Sequence, residues 1–448
     1  MKKAKQIPAH FKKSVVYQMF LRPFTPDGTL RSAERLLPFL ADLGFDMIYL
    51  CPIFEADGDT DPAYWSDRQR MSGLDNPKNP YRMSDYFTID SEYGTDDDLH
   101  SFITAAHALG LRVMLDLVYL HCGPKAVFLA EHPDFVKRDE NGIVYGKWRF
   151  PFLNFDSPEL REYLWDNMIY YVEQFGVDGY RCDVGDRVPL DFWREGVRRI
   201  RERRPDFVML NEGTNGEFLE DVFDANYCFK WSRTVADVLR GALPASALRT
   251  TWEDTVSSLP AGGRSLRCLD NHDTASDSYD DRIERAAGSD GMEAALFLLY
   301  AIDGIPMIYN GNEICDTHRH SVFANRFFGA GLVIDWSRAL TEEGMRRRIF
   351  IRTMNELRHD DGVLNNGTTI WLENTEPDKF ITFLRKTREK TALCVINFSR
   401  ESLSARVSLP GGLPDCAKAI VRRNVKYRTG DDCVTLKADP FGYLLLEC

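Results

Sequence analysis

Gly179-Tyr180-Arg181-Cys182-Asp183, a helical stretch from 191 to 203, and then Phe207-Val208-Met209-Leu210-Asn211-Glu212 decide the fold of this chain. Each short run reads as a strand and ends on a carboxylate. The stretch between them opens at Asp191 and stops before Pro205, which is the spacing of one parallel strand–helix–strand unit. Upstream, Ser157 and Pro158 read as a cap and a first-turn proline. Apolar residues then fall at Leu160, Leu164, Met168, Tyr171 and Phe175, and Gly176 ends the helix. Similar short apolar runs stand at 15–20, 47–51, 113–118, 266–270 and 306–309, with a weaker one at 226–231, making eight in all. Eight strands alternating with helices suit a closed (β/α)₈ barrel, whose catalytic groups come from the carboxyl ends of different strands. Arg181-Cys182-Asp183, Asn211-Glu212-Gly213 and Asn271-His272-Asp273 all close such runs, and Asp116 to His121 form a fourth segment of the same kind.

The chain has 448 residues, room for a barrel of about 250 plus an insertion and a further domain. Its 44% apolar and 28% charged composition is that of an ordinary globular protein. A net charge of −12, with no basic patch interleaved with aromatics, argues against nucleic acid and anionic lipid as partners. The longest apolar stretch, 294–302, is broken by Asp303 and Gly304 and is too short to span a bilayer; it reads as a buried barrel helix. The N-terminus is basic but no apolar run follows it, so a cytoplasmic location is expected, with a trimmed exported chain as the alternative. The ten cysteines form no C-x-x-C pair and are expected to be free thiols. Oligomeric state is left open.

Residues 1–121 and 157–360 are assigned to the barrel. Residues 122–156, rich in His, Pro, Gly and aromatics, are read as a small domain inserted after the third strand. Beyond 358 seven short strands without intervening helices predict an antiparallel β-sandwich over 361–448, and the polar stretch 359–367 is read as the linker.

In order along the chain, these segments resemble the α-amylase family, glycoside hydrolase family 13. Val16-Tyr17-Gln18-Met19-Phe20 and Gly44 to Pro52 resemble its first two strands. Asp85 to Asp90 with Tyr93-Gly94-Thr95 resemble the approach to the third, Leu153-Asn154-Phe155-Asp156 the end of the inserted domain, and Gly304 to Glu313 the eighth strand. Position by position, the resemblance implies that Asp183 is the nucleophile and Glu212 the general acid/base, while Asp273 binds sugar hydroxyls and distorts the ring. Arg181 would keep Asp183 ionised and oriented, and Asp116 would support it. His121 and His272 would bond the hydroxyls of the cleaved sugar, and Tyr81 would stack beneath it. Tyr64 and Trp65 are read as filling a local core, with sugar stacking as the alternative.

The chemistry agrees with this assignment. An oxocarbenium-like transition state needs an anion near the anomeric carbon and an acid that keeps its proton near neutrality. Retention is expected, with the Asp183 and Glu212 carboxyls about 5–5.5 Å apart.

Two departures from the family pattern stand out. Leu120 occupies the place of an asparagine that ligates calcium in the family, so no metal or other cofactor is expected there. Asp57-Gly58-Asp59-Thr60-Asp61 imitates a calcium loop, but Pro62 and Arg68 fall where a glycine and a bidentate glutamate belong, and it is read as a solvated acidic loop. Val184-Gly185-Asp186 departs from endo-acting amylases as well. The expected activity is hydrolysis of α-glucosidic bonds in malto- or isomalto-oligosaccharides. The alternatives are a transglycosylase or isomerase of the same family, or a non-catalytic sugar- or partner-binding relative.

Overall fold

In the computed structural model, which describes residues 2–276, 280, 282–359, 362–412 and 417–447, eight parallel strands close into a barrel. They are β1 Val16–Met19, β2 Met47–Leu50, β3 Arg112–Leu117, β4 Gly179–Cys182, β5 Val208–Asn211, β6 Ala225–Tyr227, β7 Ser265–Cys268 and β8 Ile305–Tyr309, each hydrogen-bonded to its sequence neighbours, with β8 closing on β1. Apart from Arg112 at the start of β3, the strands are buried along their length because helices cover them outside and side chains fill the barrel. Register places the chemistry. Asp116 pairs with Arg181 across β3 and β4, and Cys182 pairs with Asn211 across β4 and β5, so Asp183 and Glu212 leave adjacent strand ends together. The ladder continues one residue further through Asp183 N–H to Leu117 O at 2.8 Å and Glu212 N–H to Cys182 O at 3.1 Å.

The outer helices follow their sequence signals. Pro158–Phe175 is capped by the Ser157 hydroxyl, which accepts from Leu160 N–H, and ends at Gly176 with φ 72°. Leu190–Arg203 buries Phe192, Trp193, Val197 and Ile200 on one face. The apolar stretch near 294–302 lies in the buried helix Ile283–Ala301, and no helix among the described residues is long and apolar enough to cross a membrane. The sixth strand is shorter than expected. Phe229 and Trp231 belong instead to the helix Phe229–Leu239, because Trp231, Val235 and Val238 repeat at helical spacing and are buried together.

Two excursions stand above the strand ends. The inserted segment after β3 holds short 3₁₀ turns and a small ladder pairing Arg138–Asp139 with Gly142–Ile143, and it returns to the barrel through a bridge between His121 and Phe152. A second excursion, between β2 and β3, is not marked as structured in the sequence; it pairs Phe54–Ala56 with Met83–Ile89.

The C-terminal region is an antiparallel sheet of six strands, β9 Thr368–Trp371, β10 Phe380–Lys386, β11 Thr391–Asn397, β12 Leu403–Ser408, β13 Lys418–Gly430 and β14 Cys433–Glu447. The two last predicted strands are one bent strand, β14. Its 433–438 half pairs with β12, its 443–447 half pairs with β11, and Phe441 at φ 57° marks the bend between them. Side chains alternate: Leu393, Val395, Leu444 and Leu446 enclose the domain's own core with Val407, Val434 and Leu436, whereas Cys394, Ile396, Tyr443 and Leu445 pack onto the barrel helices.

The linker is not an open one. The helix Glu342–His359 runs into it and Val363–Asn366 forms a short buried helix, pinned where the Arg358 and Arg385 guanidiniums donate to Leu364 O; Asp360 and Asp361 lie outside the described residues. All eight described cysteines are free.

Barrel and sheet are joined by Glu293, 1% exposed, whose carboxylate accepts from Tyr443 Oη at 2.8 Å and pairs with Arg423 and, at 3.7 Å, with Arg347. Arg346 also reaches it at 3.4 Å, so removing its charge leaves three cations facing a neutral group, and Glu293→Gln is expected to cost about 2 kcal/mol, read as a lower urea midpoint in equilibrium unfolding.

Candidate active site

At the carboxyl ends of β3 to β5 one buried guanidinium holds three carboxylates. Arg181 Nη1 donates to Asp116 Oδ1 at 2.7 Å and to Asp183 Oδ1 at 3.0 Å, and Nη2 meets Glu212 Oε1 at 2.8 Å. The rings of Tyr49 and Tyr227 flank it at 5.9 and 5.8 Å. Burial would by itself pull Arg181 down, but Asp116 and Glu212 hold it far above, so it is a permanent cation. Asp183 is pushed up by burial and by the charge of Glu212. Arg181 pulls against both effects. Glu212 is likewise raised by burial. The two carboxyls therefore behave as a pair that keeps a proton between them.

Val184 shapes this corner. It follows Asp183 in the left-handed region at φ 45°, ψ 41°, which is costly for a β-branched residue, and its N–H donates to Glu212 Oε2 at 2.9 Å. Asp186 then accepts from the N–H groups of Thr214 and Asn215 at 2.7 and 3.0 Å and from Asn211 Nδ2 at 2.8 Å, fixing the turn that follows Glu212. A Cβ at Gly213 would fall 2.2 Å from the Asp186 carboxylate, so glycine is required there.

A second network carries the histidines. Gln18 Nε2 donates to His272 Nδ1 at 3.0 Å, which leaves Nε2 protonated to donate to Tyr81 Oη at 2.8 Å; Tyr81 in turn donates to Asp116 Oδ2 at 3.1 Å, where Tyr49 also donates at 2.6 Å. Tyr81 and His272 lie parallel with centroids 5.2 Å apart. His121 Nε2 donates to Tyr81 O at 2.9 Å, and its ring lies between Trp148 and Phe150 at 5.6 and 5.0 Å. Its Nδ1 is a buried acceptor with no protein partner. Burial pushes His121 down to about 4 and also lowers His272, so both are neutral near pH 7.

Asp273 sits in the first turn of the helix His272–Ser276, whose start is tied by Asn271 Oδ1 accepting from Thr274 N–H at 2.8 Å. Burial would raise it, but His272 and Arg68 hold it at about 2; Arg68 Nη1 donates to its Oδ1 at 2.8 Å. Of the eight residues given roles in the sequence, Tyr81, His121, Asp183, Glu212, His272 and Asp273 line one cavity together with Arg68, Trp148, Phe150 and Phe323, while Arg181 and Asp116 are buried outside its lining.

Sequence reasoning misses Arg68, Asp186, Trp148 and Phe150, since each acts through a loop whose path no local pattern reveals. Trp65 is buried with its Nε1 on Asp59 O, a core residue of its loop as read. The acidic run is solvated only at Gly58, Thr60 and Asp61. Asp57 and Asp59 are buried because the Arg82 guanidinium enters the turn and donates to the carbonyls of Asp57 at 2.8 Å, Asp59 at 3.0 Å, Tyr64 at 2.9 Å and Pro77 at 2.8 Å. At the place of the family's calcium, Leu120 packs in the apolar core, and the adjoining cavity is lined by Lys137 and Arg187 without a carboxylate; these residues do not fit a divalent cation.

The family of the alpha amylase catalytic domain matches residues 6–141 and 137–362, and the chain belongs to that family. It is a glycosidase of the α-amylase family. Its relatives include a cyclomaltodextrinase of a Bacillus species, 26% identical over 88% of this chain and 74% of the relative. A maltogenic α-amylase of Bacillus acidopullulyticus is also 26% identical, over 90% and 72%. Among solved structures, a maltogenic α-amylase from Thermotoga neapolitana superposes with a TM-score of 0.82 over 98% of this chain and 99% of its own, at 23% identity, which supports the barrel with its C-terminal domain.

The lowered histidines give a pH prediction. The unfolded chain takes up protons at histidine near pH 6.5, which His121 refuses until about pH 4, so its contribution to stability falls as pH drops through that window; the raised carboxyls act in the opposite sense. Comparing thermal unfolding of the native chain with His121→Gln between pH 7 and 4 isolates the histidine: the variant is expected to lose less stability on acidification.

Proposed function

We propose that the protein is a retaining glycoside hydrolase that cleaves α-glucosidic bonds in malto- or isomalto-oligosaccharides through a covalent glycosyl–Asp183 intermediate. The observation that carries this reading is the single guanidinium that holds both Asp183 and Glu212 at adjacent strand ends, a placement that suits double displacement. Asp183 attacks the anomeric carbon while Glu212 gives its proton to the departing oxygen; Glu212 then takes a proton from the water that frees the sugar. The proton shared by the pair works only on Glu212. Asp183 is then the charged partner of Arg181, and its negative charge faces the developing oxocarbenium ion.

The neutral His121 offers its unpartnered Nδ1 to a sugar hydroxyl, Asp273 accepts from ring hydroxyls, and Tyr81 presents an aromatic face to the ring. No step requires a metal, and the reading extends to a chain that works without calcium. A location in the cytoplasm agrees with free thiols throughout the described residues. Retained Asp183, Glu212 and Asp273 favour an enzyme over a sugar-binding relative. Transglycosylation would share every group named and differ in the acceptor that reaches the intermediate.

Asp183→Ala is expected to lower turnover of maltotriose or isomaltotriose at least about 10³-fold while the chain still folds, as checked by circular dichroism. Unchanged turnover would refute the assignment.

A further inference from the structure

Val184-Gly185-Asp186, the stretch in which this chain departs from endo-acting amylases, runs from Asp183 directly to the turn that carries Glu212. Each of its residues meets the end of β5. The Val184 N–H bonds the Glu212 carboxyl itself. Gly185 packs against Asn211, and a Cβ at this position would collide with Asn211 Oδ1, so an alanine would displace the side chain that precedes Glu212. Asp186 accepts from Asn211 Nδ2 with one oxygen and from the N–H groups of Thr214 and Asn215 with the other. Glu212 is thereby held on both sides in the chain: its own N–H continues the ladder to Cys182 O, and the residues beyond Gly213 hang on Asp186. The stretch has its own anchor. Gly185 O accepts from Trp193 Nε1 at 3.1 Å, and Trp193 is fully buried in the outer helix Leu190–Arg203. The N–H groups of Arg187 and Val188 close a 3₁₀ turn on Val184 O and Gly185 O at 2.9 and 3.2 Å. Asn211 Nδ2 also donates to Asn226 Oδ1, and Asn226 Nδ2 to Asn215 O, both at 2.9 Å, which ties β6 into the same network.

We infer that Asp186 is a positioning residue for the general acid: it holds the turn after Glu212 so that this carboxyl keeps its place relative to Asp183 while the proton is delivered. The inference rests on the glycosidase reading above and adds a residue to it. Asp186 acts without touching the sugar. Nucleophile, acid and the bonds that join them all lie on residues 183–186 and 211–215, so releasing one segment from the other changes the distance over which Glu212 must hand its proton to the departing oxygen. A glucosidic bond needs that proton, because its oxygen leaves poorly as an alkoxide. A glycosyl fluoride does not: Asp183 attacks the same anomeric carbon, the C–F bond breaks, and fluoride departs as the anion. Loss of Asp186 therefore has a signature that a general loosening of the site lacks.

The test measures kcat/KM of the full chain on maltotriose or isomaltotriose, whichever it cleaves faster, and on α-glucosyl or α-maltosyl fluoride, chosen likewise. In Asp186→Ala the oligosaccharide value is expected to fall at least about 30-fold, through kcat rather than KM, and the fluoride value no more than about threefold. Asp186→Asn keeps an acceptor for Thr214 and Asn215 but sets an amide nitrogen against Asn211 Nδ2, so the same split is expected at a smaller amplitude, about tenfold on the oligosaccharide. Equal losses on the two substrates would show a merely structural role and overturn the proposal. So would an oligosaccharide value that Asp186→Ala leaves unchanged. If Asp186→Ala does not fold, as judged by circular dichroism, the split in Asp186→Asn decides it by the same criterion. A native enzyme that cleaves neither oligosaccharide would instead remove the glycosidase reading, and this proposal with it.

Discussion

One buried cation, the Arg181 guanidinium, sets the terms for the rest of the site. It is 1% exposed and touches Asp116, Asp183 and Glu212 at 2.7 to 3.0 Å. Three carboxylates around one positive charge cannot all be ionised at low cost out of water, so burial forces the cluster to hold a proton. A retaining glycosidase needs this asymmetry, with one carboxyl charged to attack and one protonated to donate. The fold supplies the geometry through β-sheet register, which sets Asp116 beside Arg181 and leaves Asp183 and Glu212 on neighbouring strand ends.

Around this centre the polar groups are arranged in series. Gln18, His272 and Tyr81 form a chain of donors that ends on Asp116, which also accepts from Arg181, and each link fixes the tautomer or rotor of the next. Asp186 and Val184 brace the turn that holds Glu212, the latter at the expense of a strained backbone. Asp273 stands apart, answering to the Arg68 loop rather than to the barrel floor. The site thus has one half set by barrel register and one set by a loop.

The barrel and its carboxylates were legible because each strand is a short apolar run between punctuating residues and each ends on a polar group. Gly179 to Asp183, Phe207 to Glu212 and the Ser157-capped helix could be read locally. What could not be read depended on distant partners. Arg68 looked like a misfit in a calcium loop, and only the folded chain shows it on Asp273, 205 residues away. Asp57 and Asp59 looked solvated until Arg82 came to lie inside their turn. The strand expected at 226–231 ended early because Trp231 packs at helical spacing, and two predicted C-terminal strands proved to be one, since a bend at Phe441 resembles a turn in sequence.

The central claim is that Arg181 couples Asp183 and Glu212 into a double-displacement pair. The most direct measurement is proton NMR of the first product, taken before mutarotation mixes the anomers. The account predicts that the newly formed reducing sugar appears first as the α-anomer; initial appearance of the β-anomer would contradict it.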